Sequence, residues 1–190
     1  MKTLNTYIGI ILLLFFAAPD LTAQATYQIS DDSKMVIKGT SSLHDWESDV
    51  VTLKGRGMVN VENQQPHIRD FHLTIPVEAI KSGKSAMDNN TYEALNEESY
   101  PNIEFSLDEV QSISGGKVKA SGELSIAGET RPVTLTADYD LQDSNLISLR
   151  GSYTMKMTDF GVDPPTAVFG TIKTGDEITV DYTLQLKKSN

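Results

Sequence analysis

Hydrophobic and polar residues alternate along most of the chain, in segment after segment. In "VVTLKGRGMVNV", Val51, Leu53, Val59 and Val61 share one phase, while Thr52, Lys54, Arg56 and Asn60 share the other. "FHLTIPV" groups Phe71, Leu73, Ile75 and Val77 opposite His72 and Thr74. The same period runs through Ile103, Phe105 and Leu107, then Val118, Leu124 and Ile126, then Val133, Leu135, Tyr139 and Leu141. It continues in Ile147, Leu149, Tyr153, Met155 and Met157, and in Ile178, Val180, Tyr182, Leu184 and Leu186. Successive side chains of an extended chain point to opposite faces, so each segment predicts a half-buried strand. With Met35 and Ile37 near the start, the pattern predicts eight or nine strands.

The connections are short and carry turn residues: Asn63 to Pro66, Ser114 to Lys117, Ala127 to Glu129, Asp143 to Asn145 and Thr174 to Asp176. Connections this short join antiparallel neighbours, because a parallel crossover needs a dozen or more residues. One stretch breaks the rhythm. Between Lys81 and Pro101, Met87, Thr91, Tyr92 and Leu95 recur at helical spacing, which predicts a helix from about Ser85, as its cap, to Asn96. Several positions in the apolar phase are small: Gly55, Gly57, Ala120, Gly122, Ala137 and Gly151. They either leave space inside a barrel or let strands bend at its corners. Both readings favour a curved, closed sheet over a flat sandwich. The expected fold class is all-β: an antiparallel barrel with one short helical insertion.

Composition changes where this domain is expected to act. Lys2, the apolar run Tyr7 to Ala18 and Ala23-Gln24-Ala25 have the form of a cleaved secretory signal, so residues 1–25 are read as a leader and 26–190 as one domain. The apolar run is short for a bilayer span, which takes about 20 residues, so no stable membrane anchor is expected. The chain has no Cys, which excludes a lipid-modified N-terminal cysteine, a disulfide framework and a thiol nucleophile. The expected location is periplasmic or secreted. The formal net charge of −10 repels nucleic-acid phosphates and anionic lipid headgroups.

Few residues invite catalytic or metal chemistry. His44-Asp45 suggests an acid–base pair, but neighbours in an extended segment face opposite ways, which sets His44 beside Trp46 and away from Asp45. His44, His67 and His72 show no metal-ligand spacing. Asp159-Phe160-Gly161 and Gly115-Gly116-Lys117 match nucleotide-enzyme motifs only by letters and read as turns. No catalytic or metal-binding residue is assigned, and no enzyme activity or cofactor is expected.

Laid out in order, four segments resemble the YceI-like family: "KGTSSLHDWE", "IPVEAIKSGKSAMDNNTYEALNEESYPNIEFSL", "GELSIAGETRPVTL" and "MTDFGVDPPTAVFGTIKTGDEITV". The resemblance implies a lipocalin-like, extended barrel with a long apolar tunnel holding a polyisoprenoid, an isoprenoid quinone or a fatty-acyl lipid. The tunnel wall is then expected to draw on Leu53, Phe71, Leu73, Phe105, Leu124, Leu135, Tyr153 and Tyr182, with Met87, Tyr92 and Leu95 from the helix. Trp46 is expected to turn inward beside them. The long-chain lipid is the expected partner. The oligomeric state stays open, a homodimer being one form. Two other readings also stay open at this stage: a small envelope enzyme using His44, and a solid, ligand-free structural or stress-response protein, since alternating residues fill solid barrels too.

Overall fold

The computed structural model describes residues 24–143, 145–167 and 170–189. Its strands, in chain order, are β1 (Ala25–Ile29), β2 (Lys34–Ser41), β3 (Trp46–Val50), β4 (Lys54–Glu62), β5 (Gln65–Pro76) and β6 (Ile80–Lys81). One helix, α1 (Ser85–Ala94), separates these from β7 (Asn102–Ser114), β8 (Lys117–Ile126), β9 (Glu129–Asp143) and β10 (Leu146–Lys156). A short β11 (Thr166–Ala167) precedes the long final strand β12 (Ile172–Lys188).

Pairing turns these strands into eight staves. β1 and β2 lie end to end along one edge of β12, β4 and β3 lie along them in turn, and β5 and β6 come next. β7, β8, β9 and β10 follow as single staves, and β10 returns to β12 through Leu146↔Lys187 to Lys156↔Glu177. The barrel closes where β1 meets β12 at Tyr27↔Lys188. Every pairing is antiparallel, giving a closed eight-stave up-and-down barrel.

The two ends differ. At one end the connections are tight: Asn63-Gln64 and Gly115-Gly116 both carry positive φ at two successive residues, the geometry that matches strand twist in two-residue hairpins. At the other end lie the loop joining β2 to β3, the α1 segment, the Ala127-Gly128 turn and the long passage from β10 to β12. Near the tight end, Tyr27, Val59, Pro66, Ile147 and Leu186 are packed almost completely, Ile147 at 0% exposure. Side chains of this kind contribute about 1.5–3 kcal/mol each on burial, so this floor is a firm part of the core.

The structure corrects two details. Val51 does not share the inward phase: it is 63% exposed, because residues 51–53 leave the sheet and the Val51 N–H bonds to the Ala79 carbonyl at 2.9 Å. That interruption switches the inward set from Trp46, Ser48 and Val50 to Gly55, Gly57 and Val59. Ser85 is the first helical residue, not the cap; Lys84 holds that position and makes no side-chain capping bond. Asp88 instead ties the helix to its approach, accepting bonds from the Ser82 N–H (2.7 Å) and hydroxyl (2.6 Å). The expected leader lies outside the described residues except for Gln24 and Ala25, and Ala25 already pairs with Val59.

Candidate functional site: an apolar lumen with one broad mouth

The inward phase of the staves encloses a cavity of about 490 Å³. That falls inside the range of about 300–1,000 Å³ for small-molecule sites. Its wall is almost wholly apolar, because each strand turns its hydrophobic phase inward and its charged phase to solvent. The floor residues Tyr27, Val59, Ile147 and Leu186 do not line it, so it ends above them and opens toward α1 and the long loops.

The expected wall residues divide clearly. Trp46, Phe71, Leu73, Met87, Leu95, Phe105, Leu124, Leu135, Tyr153 and Tyr182 line the cavity. Leu53 does not; it sits in the break between β3 and β4 and packs against the core from there. Tyr92 does not either. Its hydroxyl faces the Glu78 and Ile80 carbonyls, each at 3.1 Å, and accepts from Lys81 Nζ at 2.6 Å. It moors α1 to the barrel wall, with the Lys81 ammonium also over its ring at 5.1 Å. Helical spacing places Tyr92 near Leu95, but only tertiary packing separates the face toward the lumen from the face toward the wall.

Other lining residues were readable in principle. Met35 and Ile37 share a phase, as do Leu149, Val180 and Leu184, and all five line the cavity. The signal was the alternation already used for strand assignment.

The small inward residues have a specific role. A Cβ on Gly151 would lie 2.6 Å from Tyr182 Cζ, and one on Gly122 would lie 2.6 Å from the Phe105 ring. The Trp46 ring covers Gly39 in the same way, while its Nε1 donates to the Thr40 carbonyl at 3.0 Å. Aromatic rings therefore lie flat over glycines of the adjoining stave, which keeps them against the wall and the lumen open. The sequence alternatives of empty space or bend miss this third use.

Polar chemistry in the lumen is sparse. Burial pushes the Tyr182 phenol up to about 12. Burial, and then the charge of Asp159, raises Tyr153. Neither hydroxyl has a hydrogen-bond partner among the described residues, although buried Tyr hydroxyls usually find one. At the mouth, Ser41, His44, Lys84, Asn90, Thr91 and Thr174 add polar groups.

The histidines do not converge. His44 Nδ1 meets the Asp45 backbone carbonyl at 2.6 Å, not its carboxylate, and the ring lies at the mouth. His72 Nδ1 meets Ser106 Oγ at 3.0 Å. No group of three potential metal ligands comes together among the described residues. Asp159-Phe160-Gly161 forms a corner: Phe160 is buried, Gly161 adopts φ +66°, and Arg131 Nε donates to the Asp159 carbonyl at 3.0 Å.

A closed antiparallel barrel around an apolar, one-mouthed lumen defines a lipocalin-like class of protein. Residues 24–186 match the family described as the YceI-like domain, and the chain belongs to that family. Solved structures share the fold. BcnA of Burkholderia cenocepacia superposes with a TM-score of 0.66 at 17% identity, covering 80% of this chain and 95% of that one. A polyisoprenoid binding domain from Saccharophagus degradans, described as implicated in plant cell wall breakdown, gives 0.66 at 12% identity, covering 88% and 100%. The YceI protein of Campylobacter jejuni gives 0.58 at 17% identity, covering 72% and 81%. No curated protein sequence matches this chain.

Proposed function

We propose that this is an exported, non-enzymatic binding protein that holds a long apolar or amphiphilic lipid inside the barrel. The observation that carries the reading is the lumen itself: about 490 Å³ of space with a nearly continuous apolar wall, open at one end. Moving a methylene from water into such a wall is worth about 0.8 kcal/mol, so ten give about 8 kcal/mol without any specific contact. Affinity of that kind needs no catalytic motif, in keeping with the scattered histidines. The Saccharophagus degradans relative, described as binding polyisoprenoid, supports the same ligand class here.

The two lumen tyrosines refine the class. A neutral phenol inside an apolar wall donates to a carbonyl, ether or hydroxyl oxygen, whereas a fixed charge in the same wall carries a desolvation cost that a phenol hydroxyl does not offset. The ligand is therefore a long chain carrying a neutral oxygen, as an isoprenoid quinone, a polyprenol or an esterified acyl chain does. Export rests on the leader-like residues 1–25 and gives a periplasmic or secreted location.

Native mass spectrometry of protein purified from its own envelope, followed by organic extraction, tests this. One lipid per chain, released by solvent, is the expected result. Apo protein at the bare chain mass that also fails to take up polyprenol, quinone or fatty acid would overturn it.

A further inference from the structure

The wall of the barrel is not uniform. β5 and β7 pair from Pro76↔Asn102 to His72↔Ser106, and no backbone pair joins them beyond that point. Both strands nevertheless continue, β5 back to Gln65 against β4 and β7 on to Ser114 against β8. The side-chain contact between His72 and Ser106 sits on the last pair, at the apex of the gap.

Bulges explain the parting. Opposite Arg56 and Met58, β5 carries an extra residue near Asp70, which adopts φ +49°. β7 carries two more, between its Leu107 and Glu109 pairings and between those of Val110 and Ser112. A bulge bends its own strand and increases its twist. Here the two bulged strands face each other, so each follows its other neighbour and the shared ladder ends. Through the gap, Ile68, Leu107 and Val110 line both the lumen and an outer groove. At those residues the wall is one layer of side chains, with no sheet hydrogen bonds closing it. His67, Arg69, Asp108, Glu109 and Ser112 flank the groove outside.

We propose that this seam is a second opening, through which the far end of a long lipid chain leaves the lumen. The proposal rests on the lipid-binding reading and adds a path to it. A chain entering at the α1 end meets the packed floor of Tyr27, Val59, Ile147 and Leu186. Among the described residues the seam is where the lumen meets an outer groove through side chains alone. Apolar Ile68, Leu107 and Val110 suit the chain in transit, and the polar lips keep the free strand edges hydrated when it is absent. Short chains end inside the lumen; longer ones thread the slot, so the barrel sets no sharp upper limit on chain length.

The absence of Cys makes the test direct. Ser112→Cys, in the exposed groove, and separately Leu43→Cys, at the mouth, each take one environment-sensitive fluorophore. Fatty acids and alcohols of increasing length, then polyprenols, are titrated into each. The Leu43 label is expected to respond to every chain that binds, and the Ser112 label only above a threshold length. Val110→Trp should block the slot, weakening long chains about ten-fold, the worth of roughly two buried methylenes, and sparing short ones. Long chains that saturate the Leu43 label while the Ser112 label stays silent overturn the seam alone. Silence at both labels overturns the lipid-binding reading and the seam with it. The labelled proteins decide the matter even where Val110→Trp does not fold.

Discussion

Replacing Ala120 by phenylalanine asks the lumen to accept a ring that a packed core would reject. Ala120 lies on β8, pairs with Leu135 and Val110, and is half-buried on the cavity wall. A cavity of about 150 Å³ holds a benzene ring, and the space here is about 490 Å³. The new ring therefore fits without moving a stave, and thermodynamic stability should change by less than about 1 kcal/mol; overpacking a solid core costs about 1–3 kcal/mol. Binding should respond differently. A ring that displaces about four methylenes of lipid removes about 3 kcal/mol, which is on the order of a hundred-fold in affinity. Urea denaturation followed by circular dichroism reads the first quantity, and displacement of a fluorescent fatty acid reads the second. A variant destabilised by 1–3 kcal/mol (the solid-core range) that binds lipid normally would refute the reasoning, since the interior would then be filled and the ligand elsewhere.

Three further outcomes follow from the same geometry. Ile147→Ala, at the fully buried floor, should cost about 2–5 kcal/mol in urea denaturation, because the neighbouring staves cannot collapse into the space left behind. The raised phenol of Tyr182 gives a pH signature. Its folded pKa of about 12 lies above the ordinary 10.0, so its contribution is whole below pH 10.0 and declines as pH rises toward 12. Tyr182→Phe should therefore flatten the loss of stability in that window, as urea midpoints measured across it would reveal. Trp46 is the chain's single tryptophan and lines the mouth, so its emission should shift on lipid loading, in parallel with uptake measured by mass spectrometry. An unchanged spectrum at saturation would place the lipid away from Trp46.

The stretch Ser41 to Ser48 marks how far local reasoning carries. Extended-chain geometry was expected to separate the His44 and Asp45 side chains; both residues instead lie in the loop between β2 and β3, where the His44 ring meets the Asp45 main chain. Whether Trp46 faces inward could not be read from the same alternation. Residues 51–53 interrupt β3 and β4 and reverse the phase, and the interruption is held by the Val51 bond to Ala79, a residue far along the chain. Leu53 and Tyr92 were misplaced for related reasons. Leu53 falls in that interruption, and Tyr92 lies on a helix that turns one side to the mouth and another to the wall. Phe71, Leu73, Phe105, Leu124, Leu135, Tyr153 and Tyr182 were legible because they sit inside alternating runs, where the face of one residue fixes the face of the next, whereas Met87 and Leu95 were read from helical spacing.

What the sequence determined by itself was local: extended segments, the apolar face of each, tight turns at Asn63-Gln64 and Gly115-Gly116, and one helix near α1. These follow from sterics and side-chain alternation within a few residues. Closure depended on Tyr27 meeting Lys188, a pairing across nearly the whole chain. The lumen stayed open because rings such as Tyr182 and Phe105 found glycines on neighbouring staves to lie against. The seam arose because bulges in β5 and β7 came to face each other. Each depends on the register between strands distant in sequence, and a period of two defines faces without defining register.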